Sequence, residues 1–307
     1  MRNIILDTDM GVDCDDAVAL AILLNAHKSQ KIKLLGVSAS SGREGATATI
    51  KAIIDYYKVD NIPIGSFSAD LLNCDYINNY AKAIKDKYQV EDVKNDSVLM
   101  IRKLLSQSNE KVTIVAIGPL TNMANLLLSK PDDISPLDGI ELIKNKVDKF
   151  FVMGGAFIQN YSANKINAIF SEWNILQDIK SAMTFSKLCP VEIIYSPHEV
   201  GNVILTKMLK KETPVWDSML EFAKSEKEKI TPDFYRQSWD PVTCLLAIDE
   251  SNKDFELSKN GTVLIDEKGI TSFVENENGK DFYISTRSNL KNIEKRINEI
   301  IEVGCKL

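Results

Sequence analysis

Asn3 to Leu24 reads NIILDTDMGVDCDDAVALAILL, and it sets five acids, Asp7, Asp9, Asp13, Asp15 and Asp16, between an apolar strand and an apolar helix. Ile4, Ile5 and Leu6 read as a short buried strand, Gly11 permits a sharp turn, and Ala17 to Leu24 is an apolar run of good helix formers. The acids therefore fall at the carboxyl end of a strand and the start of a helix. Open α/β sheets bind ligands there, and a helix N-terminus tolerates negative charge. Like charges this close repel one another, and a hard cation with oxygen ligands, Ca²⁺ or Mg²⁺, is the simplest relief. N-capping by Asp15 or Asp16 accounts for one or two of the acids and leaves Asp7 and Asp9 unexplained.

Outward from this stretch, strand-like and helix-like segments alternate. Lys31 to Ala39 is expected to be a strand, Ala46 to Lys58 a helix and Ile62 to Phe67 a short strand. Leu71 to Asn95 is polar and is expected to carry a helix. Ser97 to Ser106 suits a helix, Val112 to Ile117 a buried strand and Asn122 to Ser129 a helix. Phe150 to Met153 reads as a strand ended by Gly154-Gly155, then Lys180 to Leu188 as a helix and Val191 to Tyr195 as a strand. The rhythm implies an α/β fold, an open and mostly parallel sheet with helices on both faces. After Pro214 it changes: a helix from about Trp216 to Lys229, the polar aromatic segment TPDFYRQSWDP, and a helix starting near Pro241. Three strands, FELSKNGTVLID, ITSFVE and DFYISTR, precede a last helix from about Asn289 to Val303.

At 307 residues the chain is expected to be a single domain, residues 1–307, with 44% apolar and 26% charged residues to build a large core. A net charge of −6 argues against a general nucleic-acid surface and against anionic partners. Five cysteines, scattered and without CxxC spacing, suggest neither a zinc site nor a disulfide framework. The first strand begins at once and no apolar run reaches membrane-spanning length, so a cytoplasmic protein is expected.

Further residues can join the acids. Gly154-Gly155 permits close approach of a ligand or makes a simple tight turn. Glu172 and Asn174, two apart on what reads as an extended segment, point the same way and together can hold vicinal hydroxyls. Asp240, before Pro241, reads by itself as an N-cap. His27, late in the first helix, and His198, after a strand, are expected to be structural.

Taken in order, DTDMGVDCDDAVAL (Asp7 to Leu20), VAIGPLTN (Val115 to Asn122), VMGG (Val152 to Gly155), EWN (Glu172 to Asn174) and WDP (Trp239 to Pro241) resemble the inosine-uridine-preferring nucleoside hydrolase family. The resemblance implies the nucleoside hydrolase fold, with its Rossmann-like core, and a Ca²⁺-dependent N-ribohydrolase that splits a nucleoside into base and ribose. It implies Asp9, Asp16, Asp240 and the backbone carbonyl of Ile117 as calcium ligands and Asp9 as the base that takes a proton from water. Asp15, Glu172 and Asn174 would hold the ribose hydroxyls. A homodimer or homotetramer is expected by the same likeness.

The chain departs from the family's pattern in places. The spacer between Gly11 and the paired Asp15-Asp16 is two residues longer, leaving Asp13 an extra acid without a role. Trp239 stands where pyrimidine-active members carry a histidine, so the chain is expected to lean toward purines, with Trp239 stacking on the base or simply buried. Gly42-Arg43 replaces a Gly-Asn, with Arg43 pointing inward or to solvent. Asn164 and Asn167 are both candidates for a further ribose-facing amide. The same residues also admit a ribose- or nucleoside-binding protein with weak or no turnover, a hydrolase of another N-riboside, and a phosphohydrolase using Asp7 and Asp9, for which Met10-Gly11 is the wrong continuation.

Overall fold

The computed structural model describes residues 1–67, 80–157, 170–207, 212–226, 234–250, 253–286 and 290–304. Its first strand, β1 (Arg2–Thr8), places Ile4 and Leu6 in one apolar core and Ile5 in another, as a period of two requires of a strand covered on both faces. The chain continues through α1 (Asp15–Lys28), β2 (Ile32–Ala39), α2 (Ala46–Tyr57), the short β3 (Ile64–Gly65), α3 (Tyr80–Tyr88) and α4 (Ser97–Gln107). Then come β4 (Val112–Ala116), α5 (Thr121–Leu128), α6 (Gly139–Lys146), β5 (Val147–Met153), α7 (Trp173–Gln177), α8 (Ile179–Leu188), β6 (Glu192–Ser196) and α9 (His198–Gly201). The remainder is β7 (Leu205–Lys207), α10 (Pro214–Ser225), β8 (Tyr235–Gln237), α11 (Trp239–Ile248), β9 (Phe255–Leu257), β10 (Gly261–Ile265), β11 (Thr271–Glu275), β12 (Asp281–Thr286) and α12 (Leu290–Gly304).

Strands run in the order β11-β10-β12-β6-β5-β4-β1-β2-β3, with β9 paired to β12; β7 and β8 form a separate ribbon. From β12 to β3 every neighbouring pair is parallel, and β9, β10 and β11 add an antiparallel end. One face is covered by α1, α2, α10, α11 and α12, whose apolar residues join Ile4 and Leu6. The other carries α4, α5, α6 and α8, packed around Ile5, Ile114 and Phe150. The expected α/β sheet with helices on both faces is the one found.

Helix α1 is apolar on nearly every side because α11, α12 and α2 surround it, which is why its sequence carries no polar stripe. In α12, Ile293, Ile297 and Ile301 recur every fourth residue and form its buried stripe. Because the chain leaves β1 toward β2 and β3 and returns to β4 on its other side, the strand order reverses between β1 and β4. That switch point is where the acids lie.

Several expectations are corrected. The strand expected over Ile62 to Phe67 is confined to Ile64 and Gly65. FELSKNGTVLID is two strands, since Ser258, Lys259 and Asn260 separate β9, which pairs with β12, from β10, which pairs with β11 and at Gly261 with β12. The helix expected from Trp216 begins earlier, with Pro214 in its first turn behind the N-cap Thr213, and its described part ends at Ser225. Neither Asp15 nor Asp16 caps α1, since Cys14 holds that position; Asp240 lies inside the first turn of α11, behind the N-cap Ser238.

Candidate active site

Beyond Thr8 the backbone leaves the sheet, and Tyr80 holds the turn that follows. Its hydroxyl accepts the Gly11 N–H at 3.1 Å and donates to the Asp13 carbonyl at 2.9 Å. The turn delivers Asp9, Asp13, Asp15 and Asp16 to a cavity of about 210 Å³ that Ile117, Met153, Glu172, Asn174, His198, Arg236, Trp239 and Asp240 also line. Asp7 is not among these residues. Its Oδ1 accepts from Ser38 Oγ at 2.5 Å and Asn122 Nδ2 at 2.8 Å, so it ties β1 to β2 and α5 and forms no reactive pair with Asp9.

Asp15, Asp16 and Asp240 each bring one carboxylate oxygen to within 4.8 Å of the others. Asp9 borders the same cavity, buried beside them. Asp9 needs room, which Gly118 provides: a Cβ there would lie 2.8 Å from the Asp9 nitrogen and 2.9 Å from its Cβ. Burial pushes the Asp9 carboxyl up to about 8, against its own backbone N–H, and the charges of Asp13, Asp7 and Glu172 push the same way. Asp15, Asp16 and Asp240 are also driven well above the usual carboxylate range, first by burial and then by neighbouring acids.

Glu172 and Asn174 both reach the cavity, though not from an extended segment. Glu172 is the N-cap of α7, accepting the N–H groups of Asn174 at 3.0 Å and Ile175 at 3.2 Å, and it also accepts that of Gly155 at 3.1 Å. Burial raises its carboxyl to about 7 despite those three donors. Gly154-Gly155 is thus a turn that supplies an N–H to Glu172. The Asn174 amide donates to the carbonyls of Ile117 at 3.1 Å and Met153 at 3.2 Å, tying α7 to the ends of β4 and β5.

The far wall is aromatic. Trp239 is half-buried there, its indole N–H donating to the His198 carbonyl at 3.0 Å. His198, expected to be structural, lines the cavity, and burial lowers its pKa. His27 does have a structural place, its Nδ1 accepting the Leu34 N–H at 3.0 Å. Asp13, the extra acid, is met by the guanidinium of Arg236: Nε donates to Oδ1 at 2.9 Å and Nη2 to Oδ2. Arg43 borders a separate cavity beside Asp92 and Ser66. Arg236 and His198 were missed by sequence reasoning. An unmatched acid at a ligand-binding turn calls for a counter-charge, and His198 directly follows the carboxyl end of a parallel strand. Asn164, Asn167 and the first part of the polar segment, residues 71–79, lie outside the described residues, as do residues 231–233 of the aromatic segment.

The donors fit a hard divalent cation. They are all oxygens, the Asp16 Oδ2 is buried with no hydrogen-bond partner among the described residues, and Arg236, the one lining residue with a fixed positive charge, is engaged by Asp13.

The sequence profile of the family described as inosine-uridine preferring nucleoside hydrolase matches residues 4–292. A pyrimidine-specific ribonucleoside hydrolase, RihA, of Enterobacter sp. (strain 638) is 26% identical over 252 residues, 73% of this chain and 72% of that protein. A non-specific ribonucleoside hydrolase, RihC, of Escherichia coli O1:K1 / APEC is 29% identical over 213 residues, 66% of this chain and 64% of that protein, so the match spans just under two thirds of that relative. Among solved structures, the plant nucleoside hydrolase PpNRh1 superposes with a TM-score of 0.71 at 19% identity, over 98% of each chain.

Proposed function

Because this chain belongs to the inosine-uridine preferring nucleoside hydrolase family, we propose that it hydrolyses the N-glycosidic bond of ribonucleosides to free base and ribose, with Ca²⁺ as its cofactor and a leaning toward purines. The observation that carries the reading is that Asp15, Asp16 and Asp240 converge in one buried cavity at the switch point of the sheet, which Asp9 and Ile117 also line. Asp9, Asp16, Asp240 and the Ile117 carbonyl would hold the cation, which when bound supplies a Lewis acid that acidifies and orients water.

Asp9 takes the proton of the attacking water. Burial alone would keep the Asp9 carboxyl protonated, and the cation it would help to hold offsets that shift, leaving a carboxylate beside the water to accept its proton. The water oxygen bonds to the anomeric carbon as the bond from that carbon to the base nitrogen breaks. The electron pair leaves with the base, which is protonated from solvent. Positive charge developing on the ribosyl ring is met by the fixed carboxylates around it.

Asp15, Glu172 and Asn174 hold the ribose hydroxyls. An ionised carboxylate offers about four acceptor positions, so Glu172, with three spent on backbone N–H groups, keeps one for a hydroxyl. Asn174, its amide nitrogen bound to two carbonyls, presents its oxygen. Trp239 receives the base on the aromatic wall, which supports the purine leaning.

The test is a panel of purine and pyrimidine ribonucleosides incubated with the protein, with added Ca²⁺ or with chelator, and assayed for free ribose. Calcium-dependent release, faster from purines, is the expected result. Absence of release from every nucleoside in Ca²⁺ overturns the reading.

A further inference from the structure

The extra acid of the N-terminal turn and the arginine that meets it are not needed to hold a cation or ribose, yet both line the cavity. Asp13 is fixed from two sides. Its carbonyl accepts from the Tyr80 hydroxyl, and its Oδ1 accepts the Cys14 N–H at 2.6 Å as well as the Arg236 Nε–H. Arg236 comes from β8, more than two hundred residues along the chain, and its guanidinium carbon lies 4.7 Å from the centre of the Phe222 ring and 5.3 Å from that of Trp239. Phe222 in turn stands edge-on to Tyr80 at 6.4 Å. Tyr80, Asp13, Arg236 and Phe222 thus form a closed circuit with Trp239 leaning on its arginine.

The His198 imidazole also lies against Trp239, ring centres 5.5 Å apart and tilted by 32°, and further contacts fix the edge of the indole. The indole N–H is held by the His198 carbonyl, and Gly201 lies so close that a Cβ there would fall 2.4 Å from the Trp239 Cα. A planar cation held by a two-point ion pair is a rigid surface for an indole to rest on, which a lysine could not reproduce.

We propose that Asp13 and Arg236 are a positioning pair that sets the pose of the Trp239 indole, and so govern how the leaving base, and not the ribose, is received. This rests on the N-riboside reading of the cavity. Among the described residues no hydrogen bond or ion pair joins the pair to Asp9, Asp16 or Asp240; the Asp13 charge reaches those acids through space, and the pair's contact with the base-receiving wall is Trp239.

The test uses the full chain loaded with Ca²⁺, with kcat and KM for purine ribonucleosides measured beside calorimetric binding of ribose alone and of free purine alone. Arg236→Met is expected to raise KM and the Kd for free purine roughly tenfold, with kcat changed by less than about threefold and the ribose Kd by less than about twofold. Arg236→Lys, which keeps the charge without the fork, recovers only part of the loss. In a Trp239→Ala background, Arg236→Met adds nothing, because the indole it positions is gone.

Equal weakening of ribose and purine, unchanged purine binding, or a full effect of Arg236→Met in the absence of Trp239 each overturns the pair. If Arg236→Met does not fold, the neutral exchange Asp13→Asn with Arg236→Gln is read by the same three criteria. A wild-type protein that neither cleaves nor binds any riboside sinks the function and the pair together. A wild-type protein that cleaves and binds ribosides, with Arg236→Met behaving identically, sinks the pair alone.

Discussion

The Asp15 carboxylate accepts the backbone N–H of Asp240 at 3.1 Å, so the first turns of α1 and α11 meet over the same cavity. Both helices thereby aim their positive ends at the acid cluster. That help is incomplete, since the acids at the junction remain far above their ordinary pKa values. The remaining strain sets the first expectations.

Asp16→Asn removes a buried acid whose Oδ2 has no hydrogen-bond partner among the described residues, while the Asn oxygen can still accept from Thr8. In chelator this variant is expected to be at least as stable as the wild type, and in Ca²⁺ to lack the rise in Tm expected of the wild type. Thermal melts in both buffers decide it. A full calcium-dependent rise in the variant excludes Asp16 from the cradle.

Without metal, stability is expected to fall as pH rises. Asp9 is raised from 3.8 to about 8, Asp7 from 3.8 to about 7 and Glu172 from 4.5 to about 7, each chiefly by burial. Raised carboxyls favour the fold fully below their unfolded values, and the advantage is lost as pH climbs through 7 to 8. Tm in chelator should therefore decline between about pH 5 and about pH 8.5, and the gain on adding Ca²⁺ should widen over the same range. A gain that shrinks with pH contradicts the assignment.

Asp9→Ala is expected to lower kcat by roughly 10²- to 10⁴-fold, the usual worth of a general base, while leaving a folded protein. Ribose release and circular dichroism on one preparation test this. Retained turnover rules out Asp9 as the base.

Gly118→Ala would place a methyl 2.4 Å from Ser40 Oγ and 2.8 Å from the Asp9 nitrogen. We expect about 1–3 kcal/mol of destabilisation and a drop in kcat, because the backbone that must yield carries Asp9. Unaltered kcat in the folded variant would show that the site tolerates the shift.

Arg102 provides a control far from the cavity. It is 1% exposed at its side chain, pairs with Asp132 through Nε and Nη2 at 2.9 Å each, and donates to Ser129 Oγ at 2.8 Å. Arg102→Met takes one donor each from Ser129 Oγ and the Leu137 carbonyl and the cationic partner from Asp132, and should lower stability with activity per folded molecule unchanged. Denaturant titration and an assay normalised to folded protein separate the two effects.

Much of this was legible from residue patterns. Buried strands such as Val112 to Ala116 announce themselves as apolar runs, and the acids after Thr8 mark the ligand-binding end of the first strand. What stayed hidden depends on partners distant in sequence. Nothing near Asp13 says that Arg236 will meet it, and nothing near His198 says that Trp239 will bind its carbonyl. Glu172 looked like part of an extended pair because a five-residue helix is too short to show a period; its capping of Asn174 and Ile175 is what shortens the spacing. FELSKNGTVLID reads as one strand because β formers stand toward both of its ends, whereas Ser258, Lys259 and Asn260 in its middle belong to neither strand and each half finds its own principal partner.

The junction of α1 with α11 also bears on how the protein is born. Asp15 leaves the ribosome long before Asp240, so through most of synthesis the nascent chain holds its N-terminal acids without the residue that completes their cluster. The acid cluster is therefore complete only once α11 docks against α1, and a chain arrested before residue 240 lacks one of its three acids.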